Sequence, residues 1–176
     1  EADVDARCDA LSRAGRFIEP NGEERWPDQT LSTRYRFAHD LHREVLYGRL
    51  TAGRRAQTHG AIGNRLEAAY RTSPREIAAK LAEHFVQAGD AGRAVVALRL
   101  AAEQAFERLA HPEALEHLTT ALDMLEQLPE GPERWSEELA LQSMLGAAQV
   151  AARGWSAAEV ETAFLRARDL AERLGR

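Results

Sequence analysis

The stretch from Ile77 to Leu128, IAAKLAEHFVQAGDAGRAVVALRLAAEQAFERLAHPEALEHLTTALDMLEQL, decides the fold. In it small residues recur where two helices must approach closely, and large apolar residues fill the spaces between. Ala78, Leu81, Ala82 and Phe85 fall at the three- and four-residue spacings of one helix face. Gly89-Asp90 marks a turn, and beyond it Ala94, Leu98 and Ala101 repeat the pattern. A second set overlaps the first. Ala101, Ala102 and Ala105 form a close-packing face on the same helix, and Ala114, Leu118 and Ala121 follow on the next. One long helix must therefore serve two neighbours. A third, looser set runs through Leu145, Gly146 and Gln149, then Val160, Phe164 and Ala167. The reading is a stack of helical hairpins; the alternative is an ordinary helix bundle that uses alanine at its contacts.

These spacings resemble the tetratricopeptide repeat, whose signature places W-x2-L-G-x2-Y in a first helix and A-x3-F in a second. Ala78 stands in the Trp slot, with Leu81, Ala82, Phe85, Ala94 and Leu98 in the following slots. The distance from Ala94 to Ala114 is shorter than the regular period of about 34 residues, so the array is not uniform. The resemblance covers about half the chain. It implies a mainly α protein, a tetratricopeptide-like α-solenoid of antiparallel helical hairpins over residues 73–176. It also implies a concave face lined by the first helix of each hairpin. The family's groove positions fall here on Glu76, Ala79, Glu83, Val86 and Gln87, then Arg99, Glu103 and Glu107. Glutamate outnumbers arginine among them. A protein or peptide partner with basic or amphipathic character is the implied guest, anchored at Val86.

Upstream the period changes. Val4, Cys8 and Leu11 predict a helix over Ala2 to Ala14, ended by Gly15. Arg16 to Glu19 and Arg34 to Phe37 read as short strands of a β-hairpin or wing, with Asn21-Gly22 as a tight turn and Pro27 to Thr33 as loop. Asp40 is expected to cap a helix reaching Leu50, with Leu41, Val45, Leu46 and Leu50 inward. Thr51 opens a bridging helix, residues 51–72, whose inward line is Ala56, His59, Ile62 or Gly63, Leu66 and Tyr70. Ser73, Pro74 and Glu76 then form a helix start. Downstream, Pro112 begins a helix to about Leu128, and Leu128 to Pro132 is a linker. A helix from about Glu133 to Arg153 follows, ended by Gly154. Ser156 caps a last helix to Leu174, whose apolar line (Val160, Phe164, Ala167, Leu170, Leu174) is expected to leave one side facing water. The chain begins without Met and reads as a piece of something longer.

The chain has 176 residues, long enough for a buried core, and a net charge of −5. Cys8 is the single cysteine, which excludes an internal disulfide and a C-x2-C metal knuckle. No apolar run has membrane-spanning length and no secretory leader opens the sequence, so a cytoplasmic setting without membrane contact is expected. Arg54-Arg55 is the only basic doublet, and a phosphate-binding surface needs a denser stripe. Nucleic acid is accordingly not an expected partner. No G-x4-G-K-[ST] loop, G-x-S-x-G elbow or H-E-x-x-H motif is present, and no catalytic residue is expected. His39 and His42 share ligand spacing, but no third metal ligand accompanies them.

Tyr35-Arg36-Phe37-Ala38-His39-Asp40-Leu41, followed by Arg43-Glu44, is more specific. It resembles the end of the winged-helix domain in signal-transduction ATPases with numerous domains (STAND ATPases), which closes on a Met-His-Asp-type motif. Ala38 replaces the Met, while His39 and Asp40 match. In that family the motif's His reaches the β-phosphate of ADP on a preceding ATPase domain. Arg54, Arg55, His59, Ile62 and Leu66 are similar to the helix that leads into tetratricopeptide-like arrays of bacterial members, including those joined to adenylate-cyclase or LuxR-type domains. The resemblance implies that residues 1–50 are the C-terminal part of a winged-helix domain. It makes His39 and Asp40 nucleotide-sensing residues, acting only with an ATPase domain of the same chain. ATP or ADP belongs to that parent; no cofactor is expected of these 176 residues themselves. The alternative is a fragment of a DNA-binding winged-helix transcriptional regulator. Against it stand Asp3, Asp5 and Asp9, which accompany Arg7 and Arg13 on the one helix that could read bases.

Overall fold

The computed structural model describes residues 2–15, 17–155 and 158–176, with backbone alone for Ala2 and Asp3. The expected strand residue Arg16 and the expected cap Ser156 lie outside the described residues. Among those described, eight α-helices and one two-stranded antiparallel sheet form a mainly helical protein. Contacts divide the chain into two compact units, Glu1–Thr72 and Ser73–Arg176.

The first unit begins with α1 (Ala2–Arg13), then β1 (Ile18–Arg25) and β2 (Leu31–Phe37). The hairpin is longer than its sequence suggested. Ile18 pairs with Phe37 and Arg25 with Leu31, and the register shifts between Pro20 and Glu23. Asn21-Gly22, expected to turn the chain, instead sits at this bulge, where Gly22 takes φ 87. Left-handed backbone suits a bulge as well as a turn, so that dipeptide does not distinguish them. The turn is made later. The Trp26 amide donates to the Thr30 carbonyl, the Thr30 amide donates to the Asp28 carboxylate, and Gln29 takes φ 68. These hydrogen bonds, the Thr30 amide first, hold the Asp28 carboxyl below its usual range. Tyr35 on β2 donates its hydroxyl to Asp9 on α1; that bond pushes the phenol up to about 12.

Helix α2 (Asp40–Gly48) departs from expectation in two ways. Its N-cap is His39, with φ −141, and Asp40 is the first helical residue, making no side-chain cap bond. Asp40 still favours the start by its charge near the helix N-terminus. Leu41, Val45 and Leu46, expected inward, are exposed, Leu41 at 67%. The cause is that α2 makes few contacts beyond those with β2, and no second layer covers it among the described residues. In α3 (Ala52–Ala69), Thr51 caps by accepting from the Arg54 amide. The inward position left open between Ile62 and Gly63 is taken by Gly63, while Ile62 is exposed.

The core lies in the second unit. A 3-10 turn (Pro74–Ile77) leads into α4 (Ala78–Ala88), α5 (Ala91–Glu107), α6 (His111–Leu125), α7 (Pro132–Arg153) and α8 (Ala158–Arg173). Each helix packs chiefly against its neighbours in sequence: α4 on α5, α5 on α6, α6 on α7, α7 on α8. Small residues make this possible, with Ala94, Ala102, Ala105, Ala114, Ala121 and Ala148 all fully buried. Alanine lets helix axes approach while costing no side-chain entropy. α5 carries buried alanines on more than one side and packs on both α4 and α6, as the overlapping pattern predicts. Gly146 takes the device further: a Cβ there would lie 2.8 Å from the Phe164 ring. The apolar line of α8 does not face water as a whole, since Val160, Ala167 and Leu170 are buried in the α7–α8 contact; Phe164 stays partly exposed.

The ends of α4 and α5 show the same backbone motif with different residues. At the end of α4 the Asp90 amide donates to Phe85 and the Gly89 amide to Val86; at the end of α5, Ala110 donates to Ala105 and Leu109 to Phe106. Both are Schellman motifs, which place the residue after the cap in left-handed backbone. Gly89 accepts φ 72 without strain, whereas Leu109 takes φ 61 and is 74% exposed. A side chain there costs about 1–2 kcal/mol, and Leu109 buries almost nothing to offset it. Leu109→Gly should raise the unfolding free energy by about 1 kcal/mol; equal or lower stability in urea unfolding would show the position to be unstrained.

Candidate functional site

Helices α5 and α7 flank α6 and leave a groove above it. The residues that share its walls fix the geometry. Val95 and Leu125 line one cavity, Ala102 and Leu118 another, so α5 and α6 run antiparallel. Leu118 and Leu125 are two turns apart on one face of α6 and form the floor. The first cavity, ≈ 650 Å³, lies between the start of α5, the Leu128–Gly131 linker and the start of α7. The second, ≈ 330 Å³, is lined by Ala102, Phe106, Leu118, Met144 and Ala147 with Arg75, Glu103 and Glu107 at its rim. Along α5 the lining residues Gly92, Val96, Glu103 and Phe106, with Arg99 between the two cavities, follow steps of three and four, so one stripe of one helix edges both cavities.

A charge ladder spans the groove. Arg75 meets Glu107 at 2.9 Å and Glu103 at 3.5 Å, Glu103 meets Arg99 at 3.0 Å, and Arg99 reaches Glu137 on α7 at 2.8 Å. The last link crosses from α5 to α7 and separates the two cavities. Each link between half-exposed side chains contributes about 0.2–1 kcal/mol. Three glutamates share two arginines, so the ladder keeps one negative charge. Glu130 and Glu133, at the rim of the larger cavity, have no ion-pair partner among the described residues.

The structure thus brings Arg99, Glu103 and Glu107 together, and sets them against Arg75. Glu76, Ala79, Glu83 and Gln87 are exposed and Val86 is half-buried; none of them lines either cavity. Sequence reasoning missed Arg75, Phe106, Met144 and Glu137, which reach the groove only through packing. The four-residue spacing of Arg99 and Glu103 was the one local signal of the ladder.

His39 is exposed at the junction of β2 and α2, with its ring 5.4 Å from that of His42, and its side chain makes no cap bond. The sequence holds no G-x4-G-K-[ST] loop. No group of three or more potential metal-ligating side chains occurs among the described residues, and no described helix is long and apolar enough to cross a membrane. Comparison with family models, curated proteins and solved structures found no match.

Proposed function

We propose that this chain is a non-catalytic regulatory module that holds a protein segment in the groove between α5 and α7. The observation that carries the reading is the pair of apolar cavities in line on one stripe of α5, with an excess of glutamate at their rims. An amphipathic segment could seat two apolar anchors, with basic side chains set against Glu130, Glu133 and the residual charge of the ladder. The neighbour-on-neighbour packing of α4 to α8 agrees with a tetratricopeptide-like solenoid, in which binding surfaces of this kind are common. The exposed His39 and the Tyr35–Asp40 motif support placing the module in a larger nucleotide-dependent signalling ATPase of the STAND type, in the cytoplasm. There the hairpin would couple partner binding to the ATPase switch through His39.

The reading is tested with the full 176-residue chain and two labelled amphipathic peptides of equal length, one Leu/Lys and one Leu/Glu, followed by fluorescence anisotropy. The Leu/Lys peptide should bind, and Glu130→Lys with Glu133→Lys should weaken it about tenfold, which corresponds to about 1.4 kcal/mol. Equal binding of both peptides, or no loss in the double variant, would remove the groove from consideration.

A further inference from the structure

The two cavities of the groove lie at a fixed spacing. On α5 the first is edged by Val96 and the second by Phe106, and within helices α4 to α7 these are the large apolar side chains left exposed, at 50% and 37%. Ten residues of helix, at about 1.5 Å each, set them about 15 Å apart. Leu125 and Leu118 on α6, and Glu133 and Met144 on α7, each fall on one helix face, so the cavities are in line rather than staggered. Between them the Arg99–Glu137 pair, at 2.8 Å, ties α5 to α7. One arginine and one glutamate span the gap, so the two helices there stand no farther apart than two side chains reach. A helix about 10–12 Å across cannot sink between them.

We infer, resting on the groove reading above, that the occupant is an extended segment with two apolar anchors four positions apart and a small residue midway between them. In an extended chain positions i, i+2 and i+4 point to one side, and i to i+4 spans about 13 Å. The reach of the anchor side chains covers the rest of the distance. With i and i+4 seated beside Val96 and Phe106, position i+2 comes over the Arg99–Glu137 bridge, where a large side chain collides with it. Positions i+1 and i+3 turn away and are unconstrained. Anchors three apart point to opposite sides, so only one cavity fills. A basic residue belongs beside the anchor in the larger cavity, where Glu130 and Glu133 stand at the rim. A helix would present anchors eleven apart at about 16 Å, but its backbone would rest on the bridge and hold them at the cavity mouths.

Fluorescence anisotropy with the full 176-residue chain and labelled peptides, each with a Lys pair beside one anchor, tests it. Leu-Ser-Ala-Ser-Leu should bind about tenfold tighter than a peptide with its leucines three apart or with a single leucine, the gain from burying one more anchor. Replacing the central Ala by Trp should weaken binding about tenfold, and Glu137→Ala, which removes the bridge, should bring the Trp-centred peptide to within about threefold of the Ala-centred one at unchanged circular dichroism. Should Glu137→Ala fail to fold, Arg99→Ala removes the same bridge. Equal binding of the three- and four-spaced peptides, no Trp penalty, a Trp penalty that persists without the bridge, or tighter binding of an alanine-based helix with leucines eleven apart overturns the inference and leaves the groove reading standing. Binding of none of the peptides overturns both.

Discussion

Phe85→Ala should lower the unfolding free energy by about 3–5 kcal/mol, the range for deleting a fully buried aromatic side chain. Phe85 is 1% exposed and among the largest fully buried residues of the chain. It sits on the face of α4 that meets α5, where the Arg93 guanidinium lies 4.3 Å from its ring centroid. Ala82 and Ala94 beside it cannot expand to fill the space, so a cavity remains and its cost adds to the lost transfer energy. Arg93 would also lose its aromatic face, though Asp90 keeps it at 2.7 Å. Urea unfolding monitored by circular dichroism gives the number. A loss below about 1 kcal/mol would mean that α4 does not pack on α5 through this face.

Leu141→Ala should cost about 2–5 kcal/mol, and the distribution of the damage matters more than its size. Leu141 is fully buried on α7, the helix that contacts both α6 and α8. Where each helix packs mainly on its sequence neighbours, stability is close to a sum of nearest-neighbour terms. Amide hydrogen exchange should therefore accelerate strongly in α7 and α8 and least in α4 and the first half of α5. Equal acceleration throughout Ser73–Arg176 would instead describe one cooperative bundle, the alternative that the alanine pattern left open.

How much of this was legible in the sequence depends on the range of the interactions. Ala82, Ala94, Leu98 and Ala101 announce the α4–α5 contact because close helix approach leaves a local, periodic trace. The double duty of α5 was visible for the same reason, in the overlap at Ala101. The hairpin register was not: Asn21-Gly22 satisfies the requirements of a bulge and of a turn alike, and the Asp28–Thr30 bond that fixes the true turn looks like any loop. Leu41, Val45 and Leu46 have helical spacing, but periodicity says which residues share a face, not whether anything covers it. The groove was half legible. Arg99, Glu103 and Glu107 share a spacing of four that sequence alone displays, whereas Glu137 lies 38 residues from Arg99 and meets it only once α7 has come back over α6.

The central claim is that a partner segment lies between α5 and α7. Backbone amide chemical-shift mapping of the full chain with the Leu/Lys peptide tests it most directly. Perturbations are expected at Val96, Arg99, Glu103 and Phe106 on α5 and at Glu133, Glu137 and Met144 on α7, together with the floor residues Leu118 and Leu125. Perturbations confined to the exposed face of α4, at Ala79, Glu83 and Gln87, or to the first unit, would contradict it.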